Sequence, residues 1–571
     1  MGSKGARPAW AWIRLGLMVT VATTLLAGPA TLGGGNLWAQ GFASSTTAGH
    51  LGATQGIGNQ TGDWPSFMNG IGHSSYQPVN DGLNAGSASN LTQLWTFSAG
   101  KPVISEPTVV GHSIYFGSWN GYEYSVSATN GSLQWSSYLG QSDCRANGYP
   151  QGVTSTATVA NGTVYVGGGG EYWDALSESN GTVLWEIFTG NNSTRTGGHY
   201  NWASPTIYGG YAYVGISSHC DMPLVQGQLL KVGLGSHKVT QVFNTTTPAL
   251  LGATIWASPA INPATNTVFV ATGNVQRGNN STLDDSLLAI NLTTFSLKDR
   301  FQVPYAVRKP DGDFGASPTL YVGANGIPMI ADTNKNGYLY ALDQANLSKG
   351  PVWSLKIAHE DTFSSASYSN GILYVGSSGS ILPQGRNVSG ALWAVNATTG
   401  AVLWTHSMPG IVYGPVATTS DLVVGAGGDQ FVVINRYDGR VVYSFTAPDP
   451  FYGGASISGG RIYIGNNDGS VYAFGVPLAA HIHFDFPSKA HPKEVSFSGS
   501  ATGGAHGYTF AWNFGDGTDA TGAAVTHVYL HPGNYTATLT VTDRLGSTVL
   551  LSTNVVVSEP RGPRNLSLTR R

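Results

Sequence analysis

A single unit recurs eight times between residues 100 and 477, and no other feature restricts the fold of this chain so tightly. It reads S-P-T-V, a turn, V-Y-V-G, a turn, Y-x-Y-A-L-D, then T-G or N-G and a closing V-L-W. Its second segment can be followed by the last residue: Gly117, Gly167, Gly215, Ala271, Ala331, Gly376, Gly425 and Gly465, spaced 40 to 60 residues apart. The alternation in IYFG, VYVG and RIYIG predicts strands with two packed faces. Four short strands in a unit of about 40–50 residues is the period of a propeller blade. Such a blade buries its faces only against its neighbours, so the units stack into an eight-bladed ring.

That ring has a way to close. The eighth unit stops at VYAFGVP, about residue 477, without a fourth strand, and LTQLWTFSA around Trp95 is a fourth strand without a unit of its own. Joining the two leaves no open sheet edge. The 78 glycines, 11% aromatic residues and absence of a long helical pattern agree with an all-β chain. With 10% charged residues and a net charge of −3, a nucleic-acid partner is not expected.

Outside the array, residues 1–39 carry Lys4, Arg7 and Arg14 ahead of an apolar run from Leu15 to Ala27, the layout of an export signal or an N-terminal anchor. The expected location is extracellular, cell-surface or periplasmic. Residues 40–62 are a small, polar, glycine-rich spacer, the propeller is assigned to 63–479, and the polar tail 559–571 is too short to span a membrane. Sixteen Asn-x-Ser/Thr tripeptides suit a glycoprotein, although some lie in Asn-Gly turns such as Asn130-Gly131. The two cysteines, Cys144 and Cys220, are candidates for one disulfide in an exported protein. Blade topology puts both on the face formed by inter-blade connections and by loops between second and third strands.

From residue 480 the repeat is lost. WNFGDG from Trp512 to Gly517 and a later H-x-Y-x-x-P-G-x-Y-x-x-x-L-x-V-x-D run resemble the PKD (polycystic kidney disease) domain. The resemblance implies a seven-stranded immunoglobulin-like sandwich over 480–558, a module suited to polysaccharide or cell-surface protein contact. Asp516 reads as a turn cap rather than a chemical group.

Polar residues beyond the needs of a blade gather between Trp256 and Lys335. The chain reads IWASPAINPATNTVFVATGN, then DGDFGASPTL, then ADTNKNGYLYALD. Trp256, Thr272-Gly273-Asn274, Asp311-Gly312-Asp313 and Asn334-Lys335-Asn336-Gly337 in this order resemble the pyrroloquinoline quinone (PQQ)-dependent alcohol dehydrogenases. The resemblance implies that Trp256 stacks on PQQ, Asn274 ligates Ca²⁺, Asp311 acts as base and touches the metal, and Lys335 contacts the quinone. The family's third metal ligand falls near Glu171, which reads equally as a hairpin-turn residue. Thr154 is a candidate for a cofactor carboxylate. Where the family has two adjacent cysteines against the cofactor, this chain has Cys144-Arg145.

The same topology places Trp202, His219, Asp221, Asp313, Glu360 and Asp361 at this mouth. The implied activity is a PQQ- and calcium-dependent oxidation of an alcohol, polyol or sugar, with electrons passed to a separate acceptor. Each motif taken singly also reads as scaffold, because tryptophan at a blade start is commonly core and NG is a hairpin turn. The competing expectation is a non-catalytic propeller for binding or scaffolding at the cell surface.

Overall fold

The structure is a computed structural model that describes residues 62–79, 81–143, 150–193, 197–221, 223–276, 279, 281–359 and 361–559. The export segment, most of the spacer, Cys144, Arg145, Glu360 and the tail from 560 lie outside these residues.

Each repeat forms an antiparallel sheet of at least four strands. Blade 1 comprises Thr108–Val110, Ser113–Gly117, Tyr122–Ser127 and Leu133–Tyr138, and blade 2 comprises Thr158–Ala160, Thr163–Gly167, Tyr172–Ser177 and Val183–Phe188. In blade 3, His199–Tyr200 adds to the second strand, Tyr211–Ser218. Blade 4 runs Ala260–Asn262, Thr267–Ala271, Ser286–Asn291 and Leu297–Gln302, and blade 5 runs Thr319–Val322, Pro328–Asn334, Tyr338–Asp343 and Trp353–Lys356. Blade 8 takes its fourth strand, Thr92–Ser98, from the start of the ring, paired with Ser470–Gly475. First strands of neighbouring blades from 3 to 8 and of blades 1 and 2 contact one another, that of blade 8 contacts that of blade 1, and between blades 2 and 3 Thr158 donates to Pro205 O at 2.7 Å.

The repeat motif is explained by what its residues do between blades. The serine of S-P-T accepts the backbone N–H of the preceding blade: Thr156 to Ser204 Oγ at 2.9 Å, Ser204 to Ser258 at 3.0 Å, Ser258 to Ser317 at 2.9 Å and Ser317 to Ser365 at 2.8 Å. On the rim, Trp135 donates to Glu178 O, Trp353 to Ala397 O and Trp404 to Arg436 O, each at 2.8–3.0 Å. The indole then lies over the next blade's turn. A Cβ at Gly131 would stand 2.6 Å from Trp95, and one at Gly181 2.5 Å from Trp135. Gly131 also adopts φ +72°, so glycine there meets both a close approach and a left-handed turn.

Residues 64–77 run beneath the first strands at the end away from the mouth. Trp64 bridges Val109, Val159 N–H donates to Pro65, Ile261 to Ile71, Leu320 to Gly72, Tyr368 to Ser74 and Thr418 to Ser75. The lead-in segment therefore satisfies inner-strand donors of six blades that would otherwise face the axis dry. Glu106 of blade 1 anchors it by accepting from Trp64 Nε1 and Met68 N–H on one oxygen.

Behind the ring, seven strands form two sheets. Ala479–Asp485, Glu494–Thr502 and Ala524–Val528 make one, and Thr509–Asn513, Asp519–Thr521, Gly533–Thr542 and Thr548–Val557 the other. Trp512, Phe497, Leu539 and Val555 fill the space between them. This sandwich docks where the ring closes. Leu545 joins the propeller's core cluster, and buried Arg461 reaches Ala128 O at 2.6 Å and Asp543 at 3.4 Å. Arg544 pairs with Asp81 at 2.6 Å.

Candidate functional site

The residue two places before the S-P-T serine is half-buried in every blade while its chain neighbours are mostly buried, so these positions line the mouth. Five of the eight are aromatic: Trp202, Trp256, Phe363, Tyr413 and Tyr452. Phe363 stacks on Tyr413 with centroids 4.5 Å apart, and Trp256 meets Phe363 edge-on at 5.7 Å. At blade 5 the position is Gly315, where a Cβ would lie 2.3 Å from the Trp256 ring. The indole of blade 4 thus fills the place of the side chain that blade 5 lacks.

Asn274 follows the second strand of blade 4, Asp311 and Asp313 sit on the connection into blade 5, and Lys335 follows blade 5's second strand. The structure brings all four together. Asn274 N–H donates to Asp313 Oδ1 at 2.6 Å, and its Nδ2 turns to Val275 O at 3.2 Å, which leaves Oδ1 as its acceptor. Lys335 Nζ donates to Asp311 Oδ1 at 2.7 Å and Asp313 Oδ2 at 2.9 Å, and lies over the Trp256 ring at 5.4 Å. The connection is held in register because Lys335 N–H donates to Asp313 O at 2.9 Å and Asn334 Nδ2 to Gly312 O at 2.5 Å.

Exposure divides the two acids. Asp313 keeps 7% of its side chain in contact with solvent, Lys335 13% and Asp311 59%. Burial pulls the Lys335 ammonium down, but Asp313 and Asp311 outweigh it and hold the group well above its ordinary value. Desolvation by the mouth walls, then the charge of Asp313, pushes the Asp311 carboxyl up against the pull of Lys335.

Two further carboxylates share this field. Asp221 is raised to about 7 by desolvation and then by Asp313, and Asp285 is raised to about 7 by burial, Asp313 and Asp284. Sequence reasoning placed Asp221 at the mouth without a role and missed Asp285; the only signal for the latter was the Asp-Asp pair just before blade 4's third strand. Asp361 pairs with Lys309 at 3.1 Å. Among the described residues no three His, Cys, Asp or Glu side chains are gathered to ligate one ion; at the mouth, Lys335 occupies the space between Asp311 and Asp313.

The remaining expected residues make contacts of their own, and Thr154 is blade 2's residue in the ring of half-buried positions. Glu171 accepts from Asn192 N–H at 3.3 Å and its carbonyl from Thr189 N–H at 2.8 Å, contacts of blade 2 and its outgoing connection that do not include Asn274 or Asp311. Thr154 accepts from Trp119 Nε1 at 3.1 Å and shares a hydrogen bond with Tyr200 OH at 2.8 Å. His219 is a packed histidine: it stacks on Tyr200 at 4.3 Å and contacts Ser142 and Gln151, and burial lowers it to about 4. Cys220 is disulfide-bonded.

The residues present suit a planar quinone beside a cation. An indole face stands next to a fixed ammonium, and an amide oxygen and an open carboxylate offer hard oxygen donors.

Known proteins agree with this architecture. Residues 480–557 match the family model of the PKD domain. Residues 30–257 and 388–477, more than half of the chain, match the model described as outer membrane protein assembly factor BamB, a PQQ-repeat family. A polyvinylalcohol dehydrogenase of a Pseudomonas species is 24% identical over 473 residues, covering 70% of this chain and 72% of the relative. A europium-containing methanol dehydrogenase superposes with a TM-score of 0.62 at 15% identity, covering 73% of this chain and 98% of that one. The quinohemoprotein alcohol dehydrogenase of Comamonas testosteroni gives 0.58 at 17% identity over 72% of this chain and 80% of its own. At such identities the superpositions establish the fold. The chain belongs to the PQQ-repeat propeller family that this BamB-described model defines, in the form of a PQQ-dehydrogenase-like propeller followed by a PKD domain.

Proposed function

We propose that the mouth binds PQQ with Ca²⁺ and oxidises an alcohol, polyol or sugar, and that the protein works outside the cytoplasm with a separate electron acceptor. The observation that carries this reading is the meeting of Trp256, Asn274, Asp311 and Lys335 at one opening, because a scaffold blade needs none of these polar groups there. When bound, the quinone supplies a carbonyl carbon that accepts hydride, and the cation polarises that carbonyl. Asp311, the open carboxylate, takes the proton of the substrate hydroxyl. Lys335 keeps its proton because two carboxylates hold it, and presents fixed positive charge where negative charge develops. Asp313 orients that ammonium and the Asn274 backbone. Trp256 offers the flat apolar face.

Asn274 and Asp311 are the proposed metal ligands, with Glu171 as a third. Thr154, Arg145 and the Cys144–Cys220 disulfide are proposed for the remaining sides of the cofactor. Polyols are favoured among the substrates by the polyvinylalcohol dehydrogenase relative, and the layout of residues 1–39 supports export. The PKD domain would serve polysaccharide or cell-surface contact.

The test is reduction of an artificial electron acceptor by the full chain reconstituted with PQQ and Ca²⁺, using simple alcohols and a polyol. Turnover that requires both additions supports the reading. A second reading, a binding scaffold, draws on the assembly-factor description of the family model, and is favoured if the chain takes up no quinone.

A further inference from the structure

The interface between blades 1 and 2 is apolar, packed from Tyr115, Leu139, Val166 and Leu176 among others. Two carboxylates stand inside it. Glu123, in the third strand of blade 1, is 0% exposed, and neither of its oxygens meets a hydrogen-bond donor. Asp174, in the third strand of blade 2, is 4% exposed, and its Oδ2 has no donor either.

Strand alternation turns them toward each other. Leu176 lies two residues beyond Asp174, on the same face, and packs against blade 1. Val126 lies three residues beyond Glu123, on the opposite face, and packs toward blade 8. Burial, and after it the charge of Asp174, drives the Glu123 carboxyl far up. Backbone oxygens gather beside Asp174. A side chain at Gly168 would place its first carbon 2.5 Å from Asp174 Oδ2, 2.9 Å from Leu139 O and 3.0 Å from Tyr172 O, so three oxygens converge on that glycine. Only hydrogen fits there.

Two ionised carboxylates in an apolar interface repel and lose their water, a cost of several kcal/mol per charge. A proton shared between them would join two oxygens and leave the third orphan without a partner. A doubly charged cation cancels both charges and answers all three oxygens. Hard cations of calcium's size accept this mixture of carboxylate and carbonyl donors.

We propose that Glu123 and Asp174, with the Leu139 carbonyl, hold a divalent cation of the calcium class between blades 1 and 2, at a structural site separate from the mouth. It ties the third strands of two blades to the connection that leaves blade 1.

Calorimetric titration of the chelator-stripped full chain with calcium, alongside thermal melting, tests this. The wild type is expected to bind a calcium equivalent that Glu123→Gln/Asp174→Asn lacks, with a matching loss of the calcium-dependent rise in Tm. Asp311→Asn should keep that equivalent, which separates this site from any ion at the mouth. Unchanged stoichiometry and an unchanged Tm response in the double variant would overturn the proposal. Should the double variant fail to fold, wild-type crystals soaked in Mn²⁺ provide the reading. An anomalous peak between Glu123 and Asp174 supports the site, and its absence at saturating metal refutes it.

Discussion

Asp313 and Glu123 are both withdrawn from water, yet their surroundings differ in kind. At the mouth, Asp313 receives the Asn274 N–H and the Lys335 ammonium, and Asp311 shares that ammonium. Between blades 1 and 2, Glu123 meets no donor and faces a second acid. Glu106, the blade 1 residue that anchors the lead-in segment 64–77, stands between these cases with two donors on one oxygen and none on the other. Burial alone therefore does not identify a reactive carboxylate. Asp311 differs from the others because it combines a lysine partner with an open face of 59% exposure.

The largest effect should fall on that open acid. Asp311→Asn is expected to reduce turnover of the reconstituted enzyme by about 10²–10⁴-fold, the usual contribution of a positioned base. The base must be ionised and its pKa is raised, so wild-type kcat/KM should climb as pH rises through that value and then level. The variant should lose this limb. A steady-state pH series checks both, and an unaltered profile would remove Asp311 from the proton path.

Lys335→Met should come next, since it leaves Asp311 and Asp313 together without a cation. A destabilisation of about 2–3 kcal/mol is expected in denaturant titration, below the roughly 3–5 kcal/mol of a fully enclosed pair because Asp311 is open to water. Adding Asp313→Asn should recover part of it. Failure to recover would mean that the lysine packs rather than neutralises.

Glu106 gives a smaller, graded effect. Its pKa is raised from 4.5 to about 8 by burial, against the bonds from Trp64 and Met68. The native state therefore holds a proton that the unfolded chain has released, and stability falls as pH rises from 4.5 to about 8, by at most about 1.4 kcal/mol per pH unit. Glu106→Gln keeps an oxygen for both donors and should flatten this slope. The smallest effect belongs to the exposed Arg440–Asp438 pair at 2.8 Å. Arg440→Ala should leave Tm unchanged in calorimetry, and a measurable fall would show that exposed pairs also contribute to stability.

The blades were legible in the chain because their periodic residues are the ones that make inter-blade contacts: the S-P-T serines bond the preceding blade, and rim tryptophans cover the glycines of the next turn. Ring closure by the Trp95 strand was readable for the same reason, as an unmatched strand at each end. One detail of the rim needed the structure. Blades 3, 4 and 7 all lack the tryptophan that closes the repeat, and Tyr443 stands in the fourth strand of blade 7, Val441–Thr446. At the mouth, the order of Trp256, Asn274, Asp311 and Lys335 was enough to bring them together. Asp313 as the hub between Asn274 and Lys335 was not foreseen, nor were the plug formed by residues 64–77 and the seating of Arg461 on Asp543. These join residues far apart in the chain through single side chains, with no periodic pattern to betray them.

Calorimetric titration of the chelator-treated full chain with PQQ in calcium decides whether the mouth takes up the cofactor. The expected result is one PQQ per chain at micromolar affinity or tighter, weakened by Trp256→Ala. No uptake of PQQ by a folded, calcium-loaded chain would contradict it.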